Sequence, residues 1–290
     1  MSAAAIYPRL FAKLFCSPIM LHQPVRATFE QALIQRMFGG GETSLAAAPA
    51  PKAADASQLH YRTQRVFRQV GNVGIVTIDG VIDKRISDFD LDCYGGCDLA
   101  DVDTALSICA ADEGITKVLL DVNSPGGSVT GVAETAARIA ALRESKAVHA
   151  FVNVQCCSAG YFIASQAQRI AAAPSAVIGS IGVYMAILDA TRAIEMDGYR
   201  VQMIKSGRYK GMGAPWNPLT DEERQMLQDQ CDAIHSEFKS ACTALRPKLA
   251  DSTMQGQWFD GRQADDLYLV DELTAETPDE YLSRFMLAKH

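Results

Sequence analysis

Nothing in the 290-residue sequence approaches the roughly 18 consecutive apolar residues that a membrane-spanning helix requires. The longest apolar tract, residues 176–188, is broken by Gly179, Ser180 and Gly182. The N-terminus lacks a leading basic cluster, and Pro8, Arg9 and Lys13 interrupt its apolar residues, so no secretory signal is expected. A soluble, non-exported, cytoplasmic protein without a membrane anchor is the expectation. There is no basic block: 27 Lys and Arg face 34 Asp and Glu, a net charge of −7, which argues against nucleic acid as a partner. The eight cysteines show no repeated spacing, which excludes a disulfide framework. Cys93 and Cys97 have no second Cys or His pair nearby, so neither a metal nor another cofactor is expected. No period of 20–50 residues repeats, which excludes a solenoid. What is present is 48% hydrophobic and 21% charged residues, enough to bury a substantial core.

Residues 1–40 carry apolar positions at mixed spacing, and Phe29, Leu33, Ile34, Met37 and Phe38 have helical spacing that ends at Gly39-Gly40-Gly41. Residues 41–58 are rich in Ala, Pro and small polar residues, with little to bury. The expected organisation is an N-terminal arm over 1–40 outside the core, a flexible linker over 41–65, and one catalytic domain over 66–290. Within that domain, strand-type runs at 73–78, 117–122, 147–154 and 200–205 alternate with helical stretches at 99–111, 131–143, 159–168 and 220–246. Thr220 and Glu223 supply a capping box at the start of the last of these. Such alternation predicts an α/β fold with a largely parallel sheet flanked by helices.

Ligands and catalysis in α/β folds gather at loops leaving the carboxyl ends of strands. Two such loops stand out. In Asn123-Ser124-Pro125-Gly126-Gly127-Ser128, glycines free backbone N–H groups to face an anion or oxyanion, although a plain tight turn needs the same residues. In Cys156-Cys157-Ser158-Ala159-Gly160-Tyr161, a serine stands at a helix start, where it serves either as a nucleophile or as an ordinary N-cap. A serine nucleophile needs a base. Of His22, His60, His149, His235 and His290, none has an Asp partner by spacing, so a Ser-His-Asp reading is unsupported. Lysine acts as a base only when its neutral form is favoured by burial or a nearby cation, and Lys205 and Lys210 follow the 200–205 run.

Taken in order, Asn123-Ser124-Pro125-Gly126-Gly127, Cys157-Ser158-Ala159-Gly160-Tyr161, Gly179-Ser180-Ile181-Gly182-Val183 and Lys205-Ser206-Gly207-Arg208-Tyr209-Lys210 resemble the signal peptide peptidase A (SppA) family of serine peptidases. Phe259-Asp260-Gly261-Arg262-Gln263-Ala264, running on to Leu269-Val270-Asp271-Glu272-Leu273, is similar to the family's closing element. The resemblance covers roughly residues 70–275 and implies a Clp/crotonase-type core with a Ser-Lys dyad. By motif, Ser158 would be the nucleophile, Lys210 the general base and Ser180 the group orienting the lysine. Lys210 is preferred to Lys205 because the family's lysine follows the Ser-Gly pair. Backbone amides at Gly126, Gly127 and Ala159 would form the oxyanion hole.

The family usually has Ser-Gly-Gly-Tyr where this sequence has Ser158-Ala159-Gly160-Tyr161. Ser-Ala-Gly is instead similar to the tailed-phage branch, the minor capsid protein C type of prohead protease. Cys16-Ser17-Pro18-Ile19-Met20-Leu21 resembles that branch's opening. The resemblance thus implies a serine endopeptidase of capsid maturation. Its expected substrates are scaffold or capsid-associated proteins, and its expected places the host cytoplasm and the prohead interior. A homo-oligomeric ring is implied, with the arm docking to capsid or portal proteins. The near alternative is a host cytoplasmic peptidase acting on signal or other peptides. The distant ones are a crotonase-type acyl-CoA enzyme, for which no adenine or pantetheine contacts are evident, and a catalytically silent shell protein.

Overall fold

A computed structural model describes residues 17–21 and 56–288. The helix expected before Gly39, and most of the arm and linker, lie outside these residues. Among the described residues the main sheet has eight strands. Its central strands, β3 (Val73–Asp79), β6 (Lys117–Ser124) and β8 (Ala147–Cys157), are parallel neighbours. β2 (Phe67–Val70) closes one edge antiparallel to β3. On its other side β8 pairs with two short parallel strands in succession, β9 (Arg169–Ala172) and then β10 (Val177–Gly179). β11 (Trp258–Asp260) runs antiparallel to β10, and β12 (Glu272–Leu273) parallel to β9. A second, four-stranded sheet has the order β1 (Ile19–Leu21), β7 (Gly126–Ser128), β4 (Ile82–Asp83), β5 (Cys97–Asp98). The expected α/β architecture, a largely parallel sheet between helices, is the one observed.

The period-two alternation of strands sorts side chains to two faces. Val76, Val118, Leu120, Val148, Ala150 and Val152 join a core with helices α3 (Leu99–Ala111), α4 (Val132–Leu142) and α5 (Ala159–Ala164). Ile75, Leu119, Phe151 and Ala171 face the other way, onto Tyr281, Leu282 and Phe285 of α9 (Pro278–Leu287). Both faces are buried, which is why these strands read as continuous apolar runs. Lys117 secures α9: its buried ammonium donates to the carbonyls of Phe285 (2.7 Å), Met286 (3.0 Å) and Ala288 (2.6 Å). A cation there satisfies carbonyls that the helix end leaves without partners and complements its dipole.

His149 lies on the α9 side, stacked on Phe285 at 4.3 Å with Nδ1 3.0 Å from the Tyr281 hydroxyl. Burial, reinforced by Arg169, Arg284 and Lys117, pushes its pKa down from 6.5 to about 4. The unfolded chain therefore binds more protons between those values, so this contribution is complete above 6.5 and is lost as pH falls towards 4. After allowance for partial exposure it amounts to about 2 kcal/mol or less. Urea titrations from pH 7 to pH 4 should show a steeper loss of stability in the wild type than in His149→Asn.

The structure differs from the expected organisation in three places. Residues 56–65, assigned to the linker, belong to helix α1 (Ala56–Val66). Its Arg62 guanidinium donates to Asp98 (2.5 Å) and Asp101 (3.0 Å), carboxylates that the core has buried, so a segment with few apolar side chains is still anchored. Part of the arm enters the core as β1, with Met20 wholly buried. The strand expected at 200–205 is absent: no ladder partner lies beside it among the described residues, and Ile204 is 99% exposed. Other boundaries agree to within three residues, except at one helix end. The helix expected at 159–168 stops at Ala164, where the Ser165 hydroxyl takes the Phe162 carbonyl (2.6 Å). The long helix α7 (Asp221–Leu245) begins at the Thr220–Glu223 capping box.

Candidate active site

The site forms where β6 and β8 end. Between them the register slips: Val122 pairs with Val152 but Ser124 with Cys156, so Asn153, Val154 and Gln155 stand opposite Asn123 alone. A bulge of this kind bends a strand and re-aims the residues beyond it. It brings Cys156 and Cys157 alongside β10 and delivers Ser158 to the turn into α5.

Ser158 has φ 54° and ψ −118°, a conformation that non-glycine residues seldom adopt. The strain is held in place on both sides: its N–H donates to the Gly179 carbonyl (2.8 Å), and its carbonyl accepts from Phe162 N–H (2.9 Å). The hydroxyl does not cap α5, so the ordinary N-cap use of a helix-start serine does not apply here. Ser158 is 1% exposed. Cys157 beside it is no rival nucleophile, because burial pushes its thiol up to about 12 and keeps it protonated.

The glycine loop lies directly against this serine. A Cβ on Gly126 (φ +95°) would strike the Met20 carbonyl oxygen and lie 2.9 Å from Ser158 Cβ and 3.0 Å from the Ala159 nitrogen. One on Gly127 would strike the Ile82 carbonyl oxygen, because β7 runs beside β4 there. The two glycines differ in their amides. The Gly126 N–H donates to Ser124 Oγ (3.1 Å), and that hydroxyl donates to the Gly80 carbonyl (2.7 Å). The Gly126 amide is thus engaged by Ser124 in this structure. The Ala159 N–H is the first of α5 and has no acceptor within the helix. The methyl of Ala159 is accommodated and buried, whereas a Cβ at Gly160 would press on Ser124 at 3.1 Å. The departure from Ser-Gly-Gly therefore falls at the position that has room for it.

Ser180 is drawn to the same end of the sheet. Gly179 pairs with Cys157, and Ser180 comes next with φ 52° and its N–H on the Gln257 carbonyl (2.6 Å). The motif at 259–264 supports this turn. Asp260 and Gln263 form a capping box on α8 (Gly261–Asp266), and a Cβ on Gly261 would strike the Ala173 carbonyl. The Leu269-Val270-Asp271 motif supports α5 and β9: Leu269 accepts from the buried Tyr161 hydroxyl (2.8 Å), and Asp271 accepts from Arg246 (2.9 Å) and Ile170 N–H (2.8 Å).

Lys210 is not brought in. It is exposed, as is Lys205, and no hydrogen bond joins it to Ser158 or Ser180 among the described residues. Apart from α6 (Thr191–Met196), residues 185–219 around it form neither helix nor strand. Neither His149 nor His235 supplies a substitute: His149 is committed to α9, and His235 Nε2 sits 2.8 Å from the Met254 carbonyl. Sequence reasoning missed Ser124 as the partner of Gly126, and Met20 beside it. The apolar run Ile19-Met20-Leu21 after a proline was the available signal for the second. No helix among the described residues is long and apolar enough to cross a membrane.

Peptidase family S49 matches residues 140–286, a span that holds Ser158, Ser180 and Lys210. The chain is 30% identical over 282 residues to the capsid assembly protease C of Escherichia phage lambda, covering 93% of this chain and 64% of that protein. It is 29% identical over 218 residues to the head-tail preconnector protein GP5 of Enterobacteria phage P21, covering 73% and 42%. With the probable protease SohB of Haemophilus influenzae it shares 32% over 176 residues, covering 60% and 49%. This chain thus spans less than two thirds of the length of each relative. A solved enoyl-CoA hydratase/isomerase family member is 17% identical with a TM-score of 0.39, covering 76% of this chain and 73% of that one.

Proposed function

The chain belongs to peptidase family S49, and from that premise we propose that it is a serine endopeptidase working through Ser158 and Lys210. The observation that carries the reading is Ser158 itself: strained, buried, not used as a cap, and beside both the glycine loop and a helix-start amide with no acceptor within its helix. Ser158 Oγ attacks the scissile carbonyl, and Lys210 takes the hydroxyl proton and passes it to the leaving amine. The Gly127 and Ala159 amides receive the oxyanion, and Ser180 orients the lysine. Water then hydrolyses the acyl-enzyme.

An exposed lysine is poorly suited to serve as a base, since desolvation is what favours its neutral form. Lys210 therefore comes to Ser158 from a neighbouring copy in a homo-oligomeric ring. Met196, Tyr199, Val201 and Ile204, all exposed in the segment leading to Lys210, supply an apolar contact for that assembly. The role in capsid maturation is taken from the relatives. The lambda capsid assembly protease aligns with 93% of this chain, the N-terminal region included, whereas SohB aligns with 60%. Scaffold and capsid-associated polypeptides are then the substrates, cleaved in the host cytoplasm or inside the prohead, and the N-terminal arm docks to capsid or portal proteins.

A serine-directed fluorophosphonate probe tests the nucleophile. Wild-type protein should be labelled on Ser158 and Ser158→Ala should not; labelling of the alanine variant at an unchanged rate would defeat the assignment.

A further inference from the structure

The edge of β7 beside Ser158 is already occupied by the chain's own residues. β1 runs antiparallel to β7 with Ile19 opposite Ser128, Met20 opposite Gly127 and Leu21 opposite Gly126. Its other edge is held too: Ile19 N–H donates to the Tyr184 carbonyl (3.0 Å), and Tyr184 N–H donates to that of Ile19 (3.2 Å). An extended segment held by main-chain bonds is how a peptide adds to a sheet. Successive residues of a strand turn their N–H and C=O groups to opposite edges. With those of Ile19 on Tyr184, the Met20 carbonyl points towards β7. That carbonyl oxygen is the atom a Cβ on Gly126 would strike, at a point 2.9 Å from Ser158 Cβ and 3.0 Å from the Ala159 nitrogen. The Met20 side chain is 0% exposed, and Ile19 and Leu21 are nearly as buried. Neither of two surface hollows, one beside Tyr209 and Met226 and one beside Thr116 and Gln168, includes Ser158.

We propose that Ile19–Leu21 is the first substrate of this active site, and that the assembled enzyme cuts its own chain between Met20 and Leu21. The inference rests on the serine-peptidase reading above. Ser158 Oγ bonds to the Met20 carbonyl carbon while Lys210 Nζ takes the hydroxyl proton. The Met20–Leu21 C–N bond breaks, and the proton goes to the Leu21 nitrogen, which leaves as an amine. Water, giving its proton to Lys210, attacks the ester; Ser158 recovers its hydroxyl and Met20 ends as a carboxylate. One water is consumed. The bond stays whole in a single copy because Lys210 is not beside Ser158. The pocket that holds Met20 is then the one that receives the residue before the cut in other substrates, which favours long, unbranched apolar side chains there.

Intact-mass and N-terminal analysis of the purified full chain tests this, with Ser158→Ala and Met20→Asp alongside. The wild type should begin at Leu21, and Ser158→Ala should retain residues 1–20. Met20→Asp cannot be buried in the pocket, so it should remain uncut yet expose Ser158 to the fluorophosphonate. A wild type left whole while Met20→Asp is labelled on Ser158 would overturn the proposal and leave the peptidase reading standing. Cleavage at the same bond in Ser158→Ala would also overturn it. Absence of labelling in every form would overturn the peptidase reading, and this proposal with it.

Discussion

Ser158→Ala should lower kcat/KM against an unfolded polypeptide about ten-thousand-fold or more, and Lys210→Ala should come close to it, since members of one catalytic unit are not additive. The double variant should be little worse than either alone. The loss is chemical rather than structural, because the Ser158 hydroxyl caps nothing and the strained backbone at φ 54° is held by main-chain bonds to Gly179 and Phe162. Alanine keeps those bonds, so the melting temperature should hardly change. Mixing the two inactive proteins separates the sources of the base. If Lys210 comes from a neighbouring copy, random assembly of equal amounts restores about a quarter of the wild-type sites, because each active pair needs one intact serine and one intact lysine across an interface. A mixture with no recovered activity would place both groups in one copy and remove the argument for a shared site.

The second large effect is expected at Gly127. A Cβ there would strike the Ile82 carbonyl oxygen and lie 2.6 Å from the Ile82 nitrogen, contacts with backbone that no rotamer change relieves. Gly127→Ala should force β7 off β4 at a cost of about 3 kcal/mol. The same displacement moves the Gly127 amide, and with that amide as the oxyanion donor proposed above, kcat should fall by about 10²–10³-fold. Gly95→Ala is the comparison: nothing lies within 4 Å of an added Cβ, so the cost is backbone strain alone, about 1–3 kcal/mol at φ +69° and ψ −165°, with activity retained. Denaturant unfolding and steady-state kinetics on both variants read the two effects separately. A Gly127→Ala protein as stable and active as the parent would show that β7 does not lie against β4.

Much of the architecture was legible because it is set by neighbours in sequence. The helix at 99–111 has the bounds its spacing predicted, and the capping box of Thr220 and Glu223 starts α7 where it was expected. The strands at 73, 117 and 147 declared themselves as apolar runs because both faces of the sheet are buried. Residues 200–205, with Val201, Met203 and Ile204, also read as a strand and are not one, since a ladder needs a partner and none adjoins them among the described residues. Helix α1 was hidden for the opposite reason: its anchor is a salt bridge from Arg62 to carboxylates 36 and 39 residues away, which leaves no periodic trace.

The same division runs through the site. Sequence alone picked out the loops that meet beside Ser158 and the residue types they carry: small residues around Ser158, two glycines after Pro125, a serine after Gly179. Local chemistry suffices for that, because only such residues permit the turns. Tertiary structure decided how the equivalent-looking pieces differ. It gave the amide of Gly126 to Ser124 and set Gly127 beside Ile82, and it left Lys210 in the open while placing Met20 and Ser158 on either side of Gly126. Each of these depends on register between strands distant in the chain, and register is a property of the packed sheet rather than of any segment in it.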